Sequence, residues 1–450
     1  MWSGRVATCL HRTHNRRASY SMKILHVLHN SLPLLCGYSI RSGYIVNLQR
    51  SMGLETSVVS SGQHPNGAQM REAIDGVEYR RTAAARVSLP FLREGMLMRN
   101  LEREVELAAR EVRPDLIHAH SPVLVGLPAL RVARRLGLGF VYEIRDLWEN
   151  ASVDRGRFGA ESPMYRVARR LESHVLSRAD AVVTICDLLK TELQPRAGRP
   201  DRVHVVANGV DALAFAPQAA SVQLRERWKL GGKEVILYAG TFQPYEGLDL
   251  LVRAIVHIVR SRPSAHLVIV GGSAGFAHGT GTVTPEEREL LAVVRETGAA
   301  DHVTFTGRIP HAEVKDMYAI ADVVAYPRRL TRTTALTTPL KPLEAMSMAK
   351  AVVVSDVAPM LELVRDGQTG VVFKAGDVSD LASKLIRLLR NPSVRDQLGH
   401  QAREWVLRER QWPDLISRYR DVYQSVLKQP SHVAGAASKA DLHIPAGIGR

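Results

Sequence analysis

Short apolar runs recur along the whole chain, each followed by a stretch with helical spacing. The first series reads KILHVL, TSVVS, LIHAH, FVYEI, AVVTI and VHVVA, with amphipathic stretches such as Arg93–Arg113 and Pro163–Arg178 between runs. The runs are continuously apolar rather than alternating, which marks strands buried on both faces. Strands of that kind alternating with helices predict a parallel sheet covered on both sides. A polar, irregular stretch over roughly Pro217–Lys233 interrupts the pattern. A second series then begins: VILYAG, HLVIVGG, VTFTG, VVAYP, AVVVS and GVVF. The expected fold class is α/β, with two doubly wound Rossmann-like domains facing a central cleft and a hinge near Ala212–Arg225. The expected division is 22–212, 213–405, and a C-terminal helix over 406–429 able to cross back to the first domain. A small, polar tail at 430–450 is expected to be disordered.

Composition narrows the function classes. No apolar run reaches membrane-spanning length. Cys9, Cys36 and Cys186 are far apart and form no C-x-x-C pair, which argues against a disulfide framework or a zinc site and fits a reducing cytosol. The formal charge of +15 favours anionic partners: nucleic acid, acidic lipid or phosphorylated substrates. Residues 1–21 are rich in Arg and His, carry no acidic residue and lack the apolar core of a secretory signal. They read as a disordered extension ahead of Met22, with an organelle-targeting peptide as the alternative.

Ligands of open α/β sheets bind beyond the carboxyl ends of the strands, so the residues there carry the candidate chemistry. After VVAYP comes the loop Arg328–Thr338, then TPLKPLEAMSMAKAVVVSD, which predicts a helix from about Lys341 to Met348 with Thr338 as a candidate cap. Lys341 and Glu344 share one helix face. A helix start with a Lys attracts phosphate, and a Glu one turn deeper accepts hydrogen bonds from a vicinal diol. Together they suit a nucleoside diphosphate; an ordinary capping turn with a solvated Lys–Glu pair weighs about equally. In DLIHAHSP, His118 and His120 share a strand face. Metal ligation would need a further carboxylate or Cys, and none is near. One packed and one exposed His is the leading reading; a single His projecting into the cleft to meet substrate is the other. LHNSLPLLCGYSIRSGY places Gly37 before a helix containing Arg41, where backbone can approach a phosphate. YEIRDLWEN gathers Glu143, Arg145, Asp146, Trp148 and Glu149, the make-up of a sugar pocket or of a surface loop around a packed Trp. ANGVD reads as the turn into the hinge.

These elements in this order resemble the GT-B glycosyltransferases of family 4, over about Met22–Trp412. KPLEAMSMAKAVVVSD…ELVRDGQTGVVF is the most specific block. ILHVLHNSLPLLCGYSIRS, the HSPVLVGLPALRVARRLGLGFVYEIRDLWE block and TPLKPLEAMSMAKAVVVSDV are similar to a bacterial subgroup found with exosortase and exopolysaccharide gene clusters. The resemblance implies that Glu344 holds the donor ribose, that Lys341 and Gly37 face the diphosphate, and that His120 or His118 lies near the reacting sugar. It further implies that Gly271, Gly272 and Arg308 border the nucleotide pocket. Three departures stand out. Leu336 replaces the Glu found eight residues before the ribose-binding Glu in many members. Thr241 and Glu246 replace the Arg and Lys that follow the second domain's first strand. Ala358–Pro359 replaces a Gly-Gly. Arg328 or Arg332, acting with Lys341, is then expected to supply the missing cation.

The reaction so implied is a retaining, metal-independent transfer of a sugar from a nucleotide diphosphate donor to a saccharide or lipid-linked acceptor, with no cofactor. Glu143, Arg145, Asp146 and Trp148 are the acceptor-side candidates. The setting is exopolysaccharide or cell-surface glycan synthesis in the cytoplasm. RVARRLESHVLSR and FLREGMLMRNLER read first as solvated helix faces, with contact against the inner face of an anionic membrane as the other reading. A nucleotide-sugar-binding partner without turnover and a nucleotide-sugar epimerase are the rival readings. No aromatic–basic motif supports nucleic-acid binding.

Overall fold

The computed structural model describes residues 21–34, 36–62, 69–84, 90–272 and 283–428. The disorder expected of 1–20 and of 430–450 lies outside the described residues. The apolar runs form two sheets. The first holds β1 (Lys23–Leu28), β2 (Glu55–Ser60), β3 (Arg71–Ile74), β4 (Val77–Arg81), β5 (Leu116–His120), β6 (Gly139–Ile144), β7 (Ala181–Thr184) and β8 (Val203–Val205). Their order is β3-β4-β2-β1-β5-β6-β7-β8. The second holds β9 (Glu234–Ala239), β10 (Ala265–Val270), β11 (Val303–Gly307), β12 (Val323–Tyr326), β13 (Val352–Ser355) and β14 (Val371–Phe373). Their order is β11-β10-β9-β12-β13-β14. Every pairing is parallel except β3 with β4. Parallel strands buried on both faces need Val, Ile and Leu throughout, which is why the runs do not alternate.

Strand order reverses around β1 in the first sheet and around β9 in the second. The loops leaving these two strands therefore occupy the topological switch points, where such folds open a crevice. Gly37 follows the first of them, and Gly240 and Thr241 follow the second.

The hairpin β3–β4 was not among the expected strands. Asp75 (φ 52°) and Gly76 (φ 76°) make its turn. Left-handed backbone at both central positions is what a two-residue hairpin requires.

The last described helices return to the first sheet. The last helical stretch, expected as one helix, is two: Trp412–Ser417 and Tyr419–Leu427. Trp412, Leu415, Tyr419, Tyr423 and Val426 are buried in one cluster with Ile24, Leu116 and Val141 of β1, β5 and β6. Trp412 stacks on Tyr44 with ring centroids 5.3 Å apart. Val210 donates to the Arg410 carbonyl at 2.9 Å, joining the two crossing segments. A Cβ on Gly209 would crowd that same carbonyl at 2.8 Å, so the Gly of ANGVD permits the crossing. No helix among the described residues is long and apolar enough to cross a membrane.

Trp412→Ala should lower stability by about 3–5 kcal/mol, read from the urea midpoint. A midpoint shift equivalent to less than about 0.5 kcal/mol, the size of a surface change, would contradict this packing.

Candidate functional site

Both switch-point loops open into one cavity of about 270 Å³ between the two sheets. Gly37 and Ile40 enter it from the first half of the chain; Gly240, Thr241, Gly271, Gly272, Arg308, His311, Lys341 and Glu344 enter it from the second. Gly240 (φ 157°) and Gly271 (φ 132°) are both in backbone that favours glycine. A Cβ on Gly271 would collide with the Gly240 carbonyl, and one on Gly240 with the Lys341 side chain.

The helix that carries Lys341 and Glu344 spans Lys341–Ser347. Its cap position is Leu340, which makes no side-chain cap. Thr338, expected as the cap, has another partner: its carbonyl accepts from Asn208 Nδ2 at 2.8 Å. That bond links the last turn of the first half to the loop before the helix.

Lys341 Nζ donates to the Tyr238 hydroxyl at 2.8 Å and lies 3.2 Å from Glu246 Oε1. Glu246 is buried, and Arg328 Nε lies 3.9 Å from the same carboxylate. Burial alone would push the Glu246 carboxyl up, but Lys341 and Arg328 hold it below its usual range. Burial pushes the Lys341 amine down, with Glu246 opposing. Beside it, Glu344 Oε2 accepts from the Tyr318 hydroxyl at 3.1 Å, and His311 Nε2 lies 3.6 Å from Oε1. The Glu344 carboxylate beside it raises the His311 imidazole, while burial opposes this.

The other two expected cations lie elsewhere. Arg328 is buried behind Lys341, donating to the Thr337 carbonyl at 3.0 Å, because the Glu246 carboxylate draws it inward. Arg332 lies over the Tyr165 ring at 5.8 Å, and its backbone amide donates to Asp154 at 3.3 Å. Neither lines the cavity.

His118 and His120 are fully buried, and neither projects into a cleft. A third imidazole joins them: His26, His118 and His120 have ring nitrogens within 4.8 Å of one another. This trio has metal-like spacing, but hydrogen-bond partners engage five of its six nitrogens, all but His118 Nε2. Arg145 can only donate, so His120 Nδ1 accepts from it at 2.6 Å. His120 Nε2 then donates to His26 Nδ1 at 3.1 Å, and His26 Nε2 to Gln49 Oε1 at 2.9 Å. Gln49 donates to the Tyr423 hydroxyl at 2.8 Å, which donates to His118 Nδ1 at 2.8 Å. His118 Nε2 faces Glu143 at 3.4 Å, and Arg145 closes the ring on Glu143 at 2.8 Å.

Glu143 and Arg145, expected on the acceptor side, are thus internal. Arg41 also donates to Glu143, at 3.0 Å, and Tyr419 to its other oxygen. Burial alone would raise this carboxyl; Arg41 and Arg145 hold it well below its usual range. Arg145 further donates to the Tyr38 carbonyl at 2.6 Å and to Ser42 at 2.9 Å, so it fixes the helix Gly37–Ser51 whose start borders the cavity. Asp146 and Trp148 do reach open space. They line a second cavity of about 750 Å³, together with Arg93, Arg155, Arg157 and Tyr245. It shares Cys36, Gly37 and Thr241 with the first.

Residues 37–209 match the family described as "Glycosyl transferase 4-like domain", and residues 222–405 that described as "Glycosyl transferases group 1". The D-inositol 3-phosphate glycosyltransferase of Kineococcus radiotolerans is 30% identical over 384 residues, 80% of this chain and 84% of that one. The chain belongs to the GT-B glycosyltransferases of the 4-like type. Sucrose-phosphate synthase from Thermosynechococcus elongatus shares the fold, with a TM-score of 0.75 at 20% identity over 90% of this glycosyltransferase and 99% of that chain. A GDP-mannose-dependent alpha-(1-6)-phosphatidylinositol monomannoside mannosyltransferase of Mycolicibacterium smegmatis is 31% identical over 253 residues. That match takes in 55% of this chain and 63% of that protein's length, less than two thirds.

Burial, with His118 nearby, pushes the His26 imidazole down to about 3, and burial lowers His118 and His120 as well. Unfolded imidazoles take up protons near pH 6.5. Their contribution to stability is therefore complete above that pH and is lost as pH falls toward the folded values. Glu172, raised to about 8 by burial beside Glu149, acts in the opposite sense and masks this in a melting curve. Imidazole nitrogen NMR reads the rings directly. His26 should stay neutral at pH 5, and a His26 midpoint near 6.5 would contradict the ring.

Proposed function

We propose that this glycosyltransferase transfers a sugar from a nucleoside diphosphate sugar to an acceptor hydroxyl, with the donor nucleotide in the 270 Å³ cavity. The observation that carries the reading is the meeting of Lys341, Glu344 and four glycines, Gly37, Gly240, Gly271 and Gly272, in the cavity between the two sheets. In this reading Glu344, steadied by Tyr318, accepts from the ribose hydroxyls. Lys341 and Arg308 meet the phosphates, and Gly37 lets the first half close onto them. His118 and His120 take no part in contacting the sugar.

The relocation of one charge explains how the site works without the Arg and Lys absent at Thr241 and Glu246. Glu246 does not merely remove a cation. It holds the cation that Lys341 brings from the opposite wall, 3.2 Å away. A leaving diphosphate gains negative charge as the glycosidic bond breaks, and a preorganised cation there stabilises the transition state by several kcal/mol. Phosphate charge met by Lys341 and Arg308 requires no divalent ion in this scheme. Among the described residues Glu344, assigned here to the ribose, is the carboxylate that lines the cavity, so departure of the diphosphate with attack from the same face, and retention, is the proposed course. Closure of the two halves excludes water from the intermediate stage.

An acceptor that is a saccharide or lipid-linked saccharide, and a role in exopolysaccharide or cell-surface glycan assembly at the inner membrane face, complete the proposal. The relatives' names support the donor and acceptor classes: one is GDP-mannose-dependent and acts on a phosphatidylinositol mannoside, another is a D-inositol 3-phosphate glycosyltransferase.

Titration with UDP, GDP and ADP, followed by turnover with the matching sugars, tests the site. Glu344→Ala should weaken nucleotide binding about 10-fold or more, from the loss of hydrogen bonds to a charged acceptor. Lys341→Met should lower kcat by about 10²–10³. Nucleotide binding unchanged in Glu344→Ala would refute the site. Glu246→Gln frees Lys341 from its partner and should lower kcat/KM while leaving the fold intact; activity equal to the parent chain would show that the pairing is incidental.

A further inference from the structure

The 750 Å³ cavity carries charge that donor binding does not use. Arg93, Arg155 and Arg157 line it, and none of them lines the smaller cavity. Two carboxylates face the same space. Arg93 reaches Glu94 at 3.4 Å, and burial raises the Asp146 carboxyl with Arg155 foremost among the charges that oppose it. The Arg157 backbone amide donates to the Ser152 carbonyl at 2.9 Å, but its guanidinium makes neither an ion pair nor a hydrogen bond among the described residues. Burial, then Arg155 and Arg93, press its guanidinium below the usual range, with Glu94 opposing weakly. All three side chains are exposed, so solvent screens their mutual repulsion, yet an anion among them still meets three guanidinium groups against two carboxylates.

The position is informative. Trp148 and Tyr245 line the same cavity from opposite halves of the chain. Cys36, Gly37 and Thr241 border both cavities, so a molecule in the larger one abuts whatever the donor site holds. Aromatic walls suit the apolar face of a sugar ring, and guanidinium forks suit an oxyanion.

Resting on the donor reading above, we propose that the larger cavity takes the acceptor and that this acceptor bears a phosphoryl group, held by Arg93, Arg155 and Arg157. The phosphoryl group is a handle and takes no part in the reaction; the hydroxyl that attacks lies elsewhere on the acceptor, toward Gly37 and Thr241. A phosphoryl group fits better than a carboxylate. One guanidinium fork satisfies a carboxylate's two oxygens, whereas a phosphate monoester or diphosphate offers enough acceptors for several. A soluble sugar phosphate and a lipid-linked sugar diphosphate share this chemistry.

The test uses the full chain and calorimetry, with Trp148 fluorescence as a second readout. In the soluble arm, glucose 6-phosphate is titrated against glucose and glucuronate. In the lipid arm, phosphatidylcholine vesicles with and without a polyprenyl diphosphate sugar are compared by sedimentation. Glucose 6-phosphate should bind about 10-fold or more tightly than glucose, or the polyprenyl diphosphate vesicles should retain the chain when plain vesicles do not. The double variant Arg93→Gln/Arg157→Gln should bring phosphorylated and neutral probes within about 2-fold. If that variant is misfolded by circular dichroism, Arg157→Gln alone should narrow the ratio and Arg157→Lys should restore part of it. Equal binding of phosphorylated and neutral probes in both arms overturns the proposal. So does glucuronate matching glucose 6-phosphate, or discrimination surviving in the variants. UDP, GDP and ADP titrations of the same preparation separate the two readings. Nucleotide binding without phosphate discrimination removes only the acceptor proposal, whereas phosphate discrimination without nucleotide binding removes the donor reading.

Discussion

The buried carboxylate of Glu143 is the charge around which the first half of the molecule is organised. It accepts from Arg41, Arg145 and Tyr419, and His118 faces it at 3.4 Å. Those partners come from the helix after β1, the end of β6, the end of β5 and the last helix of the chain. A lone buried carboxylate would cost several kcal/mol; two guanidinium groups and a hydroxyl make it tolerable only when all are in place. The arrangement therefore demands that the C-terminal helices return to the first sheet. It also fixes Arg145 against Tyr38 and Ser42, and so fixes the start of the helix that borders the cavity. A polar network so fully connected specifies one geometry rather than an ensemble.

The second half shows the same economy with the sign reversed at one position. A Glu stands where the family resemblance implies a Lys, and Lys341 enters the cavity from the facing helix. Glu246, Lys341 and Arg328 then form a buried triad with one net positive charge. Gly240 leaves the space that the Lys341 side chain occupies. The anion at 246, the glycine at 240 and the lysine at 341 fit one another: Gly240 leaves room for the Lys341 stem, and Glu246 meets its amine.

Much of this was legible in the sequence, and the exceptions have physical causes. Continuous apolar runs located the parallel strands because burial on both faces favours apolar residues at most positions, with His26, His118, His120 and Glu143 as the buried exceptions. The β3–β4 hairpin escaped because its strands are short and partly exposed, although Asp75–Gly76 is a clear two-residue turn signal. Gly37, Gly271, Gly272, Arg308, Lys341 and Glu344 meet in one cavity because strand ends converge at the switch points. His311 was missed, although it too follows the carboxyl end of a strand, in the loop after VTFTG. The side-chain directions of Arg328, Arg332, Glu143, Arg145, His118 and His120 were not legible. Each is set by a partner far along the chain, as Tyr423 is for His118, across 305 residues. Local spacing carries no information about such pairs.

The most direct measurement is a crystal structure of the chain with a nucleoside diphosphate bound. The account predicts phosphate oxygens within about 3.5 Å of Lys341 Nζ and ribose hydroxyls on the Glu344 carboxylate. Phosphates seated instead among Arg93, Arg155 and Arg157, with the Lys341 cavity empty, would contradict it.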